Sequence, residues 1–259
     1  MIDDSLILKV HGISAGSFLQ EQLNGDLDAL AQGHWTYATC CNEEGKVLAF
    51  LWVFPWADGI LLRLPRSTVP TFLAHIERRI DNRDVHFTAT ALHFGALDND
   101  SSGADPVLYT TEANITLVSG VPGVIPCISE YPVAEVLSTE AWYAARIRAG
   151  IPEIYADTAN RFLPQMLNSG LMHRHYSHGD HHLSKCAQHR HLAYAIVSTY
   201  KTGCRALYHK HSPAGTILDY GRDDHTSIVQ AVVEDRFIGK KLTTRDCDQT
   251  LIFQRVAAN

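Results

Sequence analysis

The spacing of hydrophobic residues predicts alternating helices and strands in the first hundred residues. Phenylalanine and leucine recur at helical intervals over residues 14 to 30, until Asn24-Gly25-Asp26 interrupts the pattern. Two apolar runs, Trp35 to Thr39 and Val47 to Val53, flank a polar turn and predict a β-hairpin. The same pattern predicts a strand over 59 to 64, a helix over 67 to 80 and a strand over 85 to 92. This order is typical of a small α+β unit.

Turn residues punctuate the second half of the chain. Residues 133 to 149 predict a helix or a pair of helices, which Gly150 and Pro152 end. From Leu192 onward, short apolar runs alternate with turn residues, which predicts a small β-sandwich or β-barrel. These runs cover residues 193 to 197, 206 to 208, 216 to 220, 227 to 233 and 250 to 256. A polar stretch over residues 98 to 105 predicts a loop or linker.

Composition indicates an ordinary globular protein, with 259 residues, 46% hydrophobic and 19% charged. The formal net charge is −6 and no basic run stands out, so we expect no direct binding to nucleic acid. No apolar stretch approaches the roughly 18 residues of a membrane span, and the first residues do not resemble a secretory signal. We therefore expect a cytoplasmic monomer that does not bind membranes. The six cysteines are scattered, with no C-x-x-C pair, so reduced thiols are expected.

Histidines are concentrated in one segment, because seven of the chain's 15 lie between His173 and His191. If residues 180 to 191 form a helix, His182, Cys186 and His189 are spaced i, i+4 and i+7 on one face. Imidazole and thiolate ligands in that arrangement suit zinc, copper or iron. The alternative is a solvated loop that is merely rich in histidine, since no standard metal-binding spacing is present. Both interpretations stay open.

Cys186 has two interpretations of its own. Neighbouring cations such as Lys185 favour the reactive thiolate form of a cysteine, which predicts a nucleophile or a metal ligand. A cysteine in a reducing compartment is also often a small buried hydrophobic residue with no chemistry.

Four short segments carry a family resemblance. They are Phe18-Leu-Gln-Glu-Gln-Leu-Asn-Gly-Asp26, Cys41-Asn-Glu-Glu-Gly-Lys46, Ala149-Gly-Ile-Pro152 and Phe162-Leu-Pro-Gln165. In order and spacing they resemble the F-L-Q-G-Q-x-T-N-D, D-x-x-G-[KR], A-G-I-P and F-[IL]-P-Q segments of the folate-binding YgfZ proteins. These proteins are relatives of the glycine-cleavage T protein, an aminomethyltransferase.

The resemblance implies an α+β fold with three modules in an aminomethyltransferase-like ring and a C-terminal β-barrel. Its implied domains are a discontinuous folate-binding-type domain of residues 1 to 45 and 106 to 190, an inserted α+β domain of residues 46 to 105, and a barrel of residues 191 to 259. It also implies an accessory role in iron-sulfur protein maintenance or tRNA modification. The expected ligand is tetrahydrofolate or a similar planar molecule in a central pocket, and iron-sulfur proteins are the expected clients.

The chain departs from the family at positions that bear on chemistry. The signature K-G-C-Y-x-G-Q-E aligns with Ser184 to His191, which keeps Cys186 but loses the glycines, the tyrosine and the final Gln-Glu. Arg148 and Met166 replace acidic residues that would accept the N–H donors of a pterin ring. No complete catalytic motif remains, so aminomethyl transfer is not expected. The alternative function is a relative that has lost folate and binds a metal or cluster through its His/Cys-rich segment.

The predicted site residues come from two sources. The resemblance makes Cys186 the central thiol, assisted by its neighbour Lys185, and points to pocket positions occupied here by Asp26, Arg148, Phe162 and Gln165 as ligand-binding residues. The helical spacing, and not the resemblance, predicts His182, Cys186 and His189 as metal ligands in the alternative function. Asp26 has a second interpretation, because aspartate after Asn24-Gly25 is also typical of a turn.

Overall fold

A computed structural model describes residues 4–98, 107–111, 114–133, 137–168, 171, 189–201, 203–223, 225–245 and 249–256. The chain forms two compact units. The described residues of unit 1 are 4–133, 137–138 and 154–161, apart from the gaps just given. The described residues of unit 2 are 139–153, 162–168, 171 and 189–256, apart from the gaps within that last range. The three-domain division implied by the family resemblance is a different partition, and it stays a prediction. Residues 99 to 105 of the predicted linker lie outside the described residues.

Unit 1 contains ten strands and three helices among its described residues. The strands are β1 (Ser5–His11), β2 (Leu23–Asn24), β3 (Thr36–Cys41), β4 (Val47–Trp56), β5 (Gly59–Pro65), β6 (His86–Ala89), β7 (His93–Asp98), β8 (Leu108–Thr110), β9 (Thr116–Val118) and β10 (Val124–Ser129). The helices are α1 (Ala15–Gln22), α2 (Asp28–Ala31) and α3 (Val69–Glu77), with a 3₁₀ turn at Arg66–Thr68.

The larger sheet of unit 1 has six antiparallel strands in the order β2-β3-β4-β5-β1-β6. The predicted β3–β4 hairpin is confirmed, and its turn has a local cause. The Asn42 side-chain oxygen accepts hydrogen bonds from the backbone N–H groups of Glu44 and Lys46, at 3.0 and 2.9 Å, and Gly45 has a φ of 72°. Residues 47 to 54 of β4 are all buried, because the strand is covered on both faces.

The smaller sheet of unit 1 has four antiparallel strands in the order β7-β10-β9-β8. Its register places Phe94, Ile128, Thr116 and Thr110 side by side, one from each strand. Directly paired residues of an antiparallel sheet point to the same face, so these four side chains form one row.

Unit 2 contains one α-helix and seven strands among its described residues. They are α4 (Thr139–Arg148), β11 (Arg190–Val197), β12 (Ala206–His209), β13 (Ser212–Arg222), β14 (Ser227–Glu234), β15 (Lys241–Thr244), β16 (Thr250–Ile252) and β17 (Gln254–Arg255), with 3₁₀ turns at Pro164–Met166 and Asp235–Phe237.

The strands of unit 2 form one sheet in the order β16-β15-β12-β13-β14-β11-β17. The segment Thr250 to Arg255 bonds to one edge of the sheet through β16 and to the other edge through β17. Phe253 lies between those two short strands and is fully buried. The sheet is therefore nearly closed, which confirms the predicted C-terminal barrel within a mixed helix and strand fold.

Helix α4 packs directly on the barrel. A Cβ atom added to Gly221 of β13 would lie 2.2 Å from the backbone nitrogen of Ala144, so the helix backbone approaches the strand where no side chain intervenes. The helix ends as the sequence predicts, because Gly150 adopts a left-handed φ of 70°. In the part of the chain that the structure describes, none of the helices is long and apolar enough to span a bilayer.

Candidate functional site

Two of the family-like segments are joined in unit 2. Asn168, which follows the Phe162–Gln165 segment, donates its side-chain N–H to the carbonyl oxygen of Gly150 in the Ala149–Pro152 segment, at 3.0 Å. The neighbouring carbonyl of Ile151 accepts hydrogen bonds from Arg146 at 2.8 Å and from Gln230 at 3.3 Å. Because carbonyls beyond a helix end have no partner within the helix, these side chains hold the segment in place.

A cavity of about 530 Å³ lies beside the 3₁₀ turn at Pro164–Met166. Residues from that turn, from the start of β11 and from the end of β14 line it, and these are Met166, His189, Arg190, Glu234 and Arg236. The Met166 side chain is buried and supplies the apolar part of the wall. The other four residues are polar or charged, so the cavity combines an apolar side with an ionic rim.

Glu234 is held between two arginines on this rim. One carboxylate oxygen accepts a hydrogen bond from Arg190 and the other from Arg236, both at 2.8 Å. Burial acts to raise the pKa of Glu234, but the hydrogen bonds and charges of the two arginines outweigh it and keep the pKa below its ordinary value. Glu234 is therefore ionised at neutral pH.

Asp235 organises the adjoining part of the rim. Its carboxylate contacts His191 at 2.7 Å and Arg255 at 2.8 Å, and its backbone N–H donates to the carbonyl of His189 at 2.8 Å. Strand β17 brings Arg255 to this position, because it pairs with β11.

Among the described residues, Arg190, Arg236 and Glu234 line the cavity, and Arg255 and Asp235 lie beside them. These described groups are three arginines and two carboxylates, so their charges sum to a positive value. A guanidinium has five N–H donors, so an arginine held by one carboxylate oxygen can also bind an anion. The arrangement is suited to binding a carboxylate or phosphate group.

The described residues predicted to bind ligand lie in different settings. Asp26 is half-buried in unit 1, whereas the others belong to unit 2. Phe162 is buried, and the side-chain oxygen of Gln165 is buried without a hydrogen-bond partner among the described residues. Arg148 is exposed and forms an ion pair with Asp223. The ligand-binding roles of these residues stay predictions.

Asp223 is a well-bound partner for Arg148. The backbone N–H and then the hydroxyl of Thr226 act most strongly to lower the Asp223 pKa, followed by Arg148 and the backbone N–H of His225. Together they hold the pKa of this carboxyl well below its usual range. The cation that replaces the family's acidic residue therefore has a structural partner at the end of β13.

The predicted catalytic and metal-binding residues Cys186, Lys185 and His182 lie outside the described residues. His189 is described, is exposed and lines the cavity. Within the described ranges, no three His, Cys, Asp or Glu side chains are grouped so that they could hold a metal ion. The predicted metal site stays a prediction.

Among the described residues, this cavity presents no free carboxylate to accept the N–H donors of a pterin, and tetrahydrofolate binding stays a prediction. A pterin presents N–H donors that need hydrogen-bond acceptors, and a carboxylate is such an acceptor. Glu234 and Asp235 are engaged by arginines and a histidine, while the two family positions carry Arg148 and Met166. The described residues offer donors and positive charge instead.

Sequence reasoning missed the ionic rim. Arg190 and Glu234 face each other because β11 and β14 pair in that register, although 44 residues separate them. Neither residue belongs to a recognisable motif, so only the strand pairing reveals them.

Comparison with known proteins finds weak similarity to one group of relatives. The chain is 23% identical over 192 residues to the tRNA-modifying protein YgfZ of Sodalis glossinidius, and 25% identical over 184 residues to that of Aliivibrio fischeri. Both alignments cover 64% of this chain. A protein of Haemophilus influenzae described only as uncharacterized is 24% identical over 163 residues, or 62% of this chain. The matches span 56 to 58% of these relatives' own lengths, and no family model matches the chain.

The fold extends the comparison over nearly the whole chain. The crystal structure of the glycine cleavage system aminomethyltransferase T from Bartonella henselae superposes with a TM-score of 0.68. The superposition covers 99% of this chain and 84% of the aminomethyltransferase chain, at 13% sequence identity. The two proteins therefore share a fold. The chain is therefore similar to YgfZ proteins in sequence and to aminomethyltransferase T in fold. The family resemblance inferred from the sequence segments is confirmed.

Proposed function

We propose that this divergent YgfZ-type protein is an accessory factor for tRNA modification and that iron-sulfur proteins are its clients. The observation that carries the proposal is the joining of two family segments through Asn168 and Gly150 beside a charged cavity. Relatives over 64% of the chain are named for tRNA modification, which supports the same role.

In this proposal the cavity has a binding role. Arg190, Arg236 and Arg255 attract an anionic group, and Met166 gives the ligand an apolar surface. The ion pairs with Glu234 and Asp235 orient the guanidinium groups before the ligand arrives, which reduces the entropy lost on binding. In this proposal the protein binds and positions, and the client protein carries out the modification.

The test is genetic. We expect deletion of the gene in the source organism to lower the amount of one or more modified tRNA nucleosides, measured by mass spectrometry of digested tRNA. A plasmid copy of the wild type should restore them. The variant Arg236→Ala should restore them only partly, because it removes a cation from the cavity rim. Unchanged nucleosides after deletion would contradict the proposed function.

The role of the family cysteine is tested in the same strain. We expect Cys186→Ser to fail in complementation, because the family resemblance makes this thiol functionally central. Cys204→Ser is the matched control, since Cys204 is a free, half-buried cysteine of β-barrel unit 2 that lies outside the cavity. Full activity of the Cys186 variant would remove the thiol from the mechanism and leave the anion-binding cavity to carry the function.

Tetrahydrofolate binding has a separate test. A ligand specific for the native state raises stability by about 2.7 kcal/mol at a hundredfold excess over its Kd. Because the described residues that line the cavity offer a pterin no free carboxylate, we expect no such shift with tetrahydrofolate in calorimetry or thermal denaturation. A clear shift would show that another set of residues recognises the folate.

The second candidate function is metal or cluster binding by the His/Cys-rich segment. The sequence observation that favours it is the seven histidines between His173 and His191 with Cys186 among them. Metal analysis of protein expressed without an affinity tag separates the two functions. A stoichiometric metal that is lost in Cys186→Ser would favour metal binding, whereas metal-free protein that complements the deletion would exclude it.

A further inference from the structure

Unit 1 has a cavity of its own, which is unrelated to the family segments. Its volume is about 500 Å³, within the range typical of small-molecule sites. The residues that line it are Pro55, Trp56, Ala57, Leu92, Leu108, Thr110, Asn114, Thr116, Ile128, Ser129 and Glu130. A second cavity of about 310 Å³ adjoins it and shares Asn114, Ser129 and Glu130.

The floor of this cavity is one face of the four-stranded sheet. Ile128, Thr116 and Thr110 belong to the row of paired residues that crosses β10, β9 and β8. Leu108 lies two residues before Thr110 on β8 and so points to the same face. The two threonine hydroxyl groups hydrogen-bond to each other at 3.1 Å. The floor is therefore flat and largely apolar, with its hydroxyl groups already satisfied.

One wall is the turn between β4 and β5. Trp52, in the middle of β4, is fully buried, whereas Trp56 at the end of the strand is only partly buried and lines the cavity. An indole offers a broad face that binds flat rings and cations. A planar group between Trp56 and the sheet would contact apolar surface on both sides.

The rim carries a single formal charge. Glu130, directly after β10, is exposed and is the one ionisable residue lining the cavity in the described part of the chain. Asn114 also lines the cavity and adds a side-chain amide. Because Glu130 is negative and the other described residues that line the cavity are neutral, these groups disfavour anions and favour cations and N–H donors.

We propose that this cavity binds a small planar cation, of the amidine or aromatic amine class, with its ring against Trp56 and its N–H groups directed to Glu130. An amidinium has two parallel N–H donors that match the two oxygens of a carboxylate. This preference is opposite to that of the arginine-lined cavity in unit 2, so the two sites do not compete for one class of ligand.

The test uses three molecules of almost identical shape on the full-length protein. Benzamidine is cationic, benzamide is neutral and benzoate is anionic, and saturation-transfer NMR at millimolar concentrations measures the binding of each. We expect benzamidine to bind about tenfold more tightly than benzamide, and benzoate to bind most weakly. Equal binding of benzoate and benzamidine, or no binding of benzamidine, would overturn the proposal.

Variants locate the binding. Glu130→Gln keeps the shape of an exposed side chain and removes its charge, so benzamidine affinity should fall to that of benzamide. Trp56→Leu should weaken both ligands by removing the indole face. Glu77→Gln is the control, because Glu77 is exposed on α3 and does not line the cavity. If Glu130→Gln leaves benzamidine affinity unchanged, the molecule binds elsewhere and the proposed site is wrong.

Discussion

Asp219→Asn should destabilise unit 2 far more than Asp223→Asn, although both carboxylates pair with arginines of α4. Arg146 is fully buried and its partner Asp219 has 9% of its side chain exposed. In the second pair, 46% of the Arg148 side chain and 36% of the Asp223 side chain are exposed. The two pairs thus join the same helix to the same part of the barrel and differ mainly in their access to water.

The magnitude follows from what each substitution leaves behind. Asp219 accepts hydrogen bonds from Arg146 and from the backbone N–H of Tyr220, the latter at 2.8 Å. Removal of its charge takes this carboxylate partner from a buried guanidinium, and breaking a buried ion pair in this way costs about 3 to 5 kcal/mol. Loss of the exposed Arg148–Asp223 pair costs about 0 to 1 kcal/mol, because water replaces the partner.

Urea unfolding followed by circular dichroism measures the total change in unfolding free energy. Because two compact units can unfold in separate steps, hydrogen exchange in β13 and β14 gives the change local to unit 2. The double variant Arg146→Met/Asp219→Asn should be more stable than the sum of the two single effects, with a coupling of about 2 kcal/mol.

The reasoning is refuted if Asp219→Asn lowers stability by less than about 1 kcal/mol, the upper range of an exposed pair. It is also refuted if the two single effects simply add in the double variant. Either result would mean that Arg146 finds water or another acceptor when Asp219 loses its charge.

Five other substitutions test three separate features. Gly221→Ala should destabilise the protein by about 2 to 3 kcal/mol in urea unfolding, because a Cβ atom there would lie 2.2 Å from the α4 backbone. Gly16→Ala should instead stabilise it by about 0.5 to 1 kcal/mol, because Gly16 lies inside α1 and a Cβ atom there meets open space. Glu234→Gln should cost about 1 to 2 kcal/mol at pH 7. The pKa of Glu234 is lower in the folded protein than the value of about 4.3 for an unfolded chain, so ionised Glu234 stabilises the fold above about pH 4.3. The difference in unfolding free energy between wild type and Glu234→Gln should therefore shrink as the pH falls below about 4.3. Asn168→Ala should cost about 1 to 2 kcal/mol and Asn168→Gly less, because glycine loses the bond to Gly150 but accepts the left-handed φ of 40°.

Local features of the fold could be predicted from the sequence. The β3–β4 hairpin and the end of α4 depend on Asn42, Gly45 and Gly150, whose conformational preferences act within a few residues. The helix expected over 67 to 80 is observed as α3 at Val69–Glu77, preceded by a 3₁₀ turn. Such elements need little information from distant parts of the chain.

Strands whose partners are distant were missed. Strand β1 alternates Leu6, Leu8 and Val10 with mostly polar residues, but its place between β5 and β6 in the six-stranded sheet depends on partners more than 45 residues away. Strand β15 begins with Lys241 and has weak strand character, and its pairing with β12 and β16 stabilises it.

The sites divide in the same way. The Gly150 and Gln165 segments could be found as short patterns, but the charges around the cavity of unit 2 could not. Arg190, Glu234 and Arg255 come together only when β11 pairs with β14 and β17. The cavity of unit 1 likewise draws its lining from several strands and turns, so no single window of sequence contains it.

The closure of the barrel by residues 250 to 255 has a kinetic consequence. Ala193, on the first strand of the barrel, pairs with Arg255 on the last, so this unit has a high contact order and its final step joins distant parts of the chain. Until that segment docks, β11 and β15 expose unpaired backbone groups to which another molecule can add a strand. Folding intermediates of this unit are therefore prone to domain swapping. The docking of residues 250 to 255, which buries Phe253, pairs the two strand edges and ends that risk.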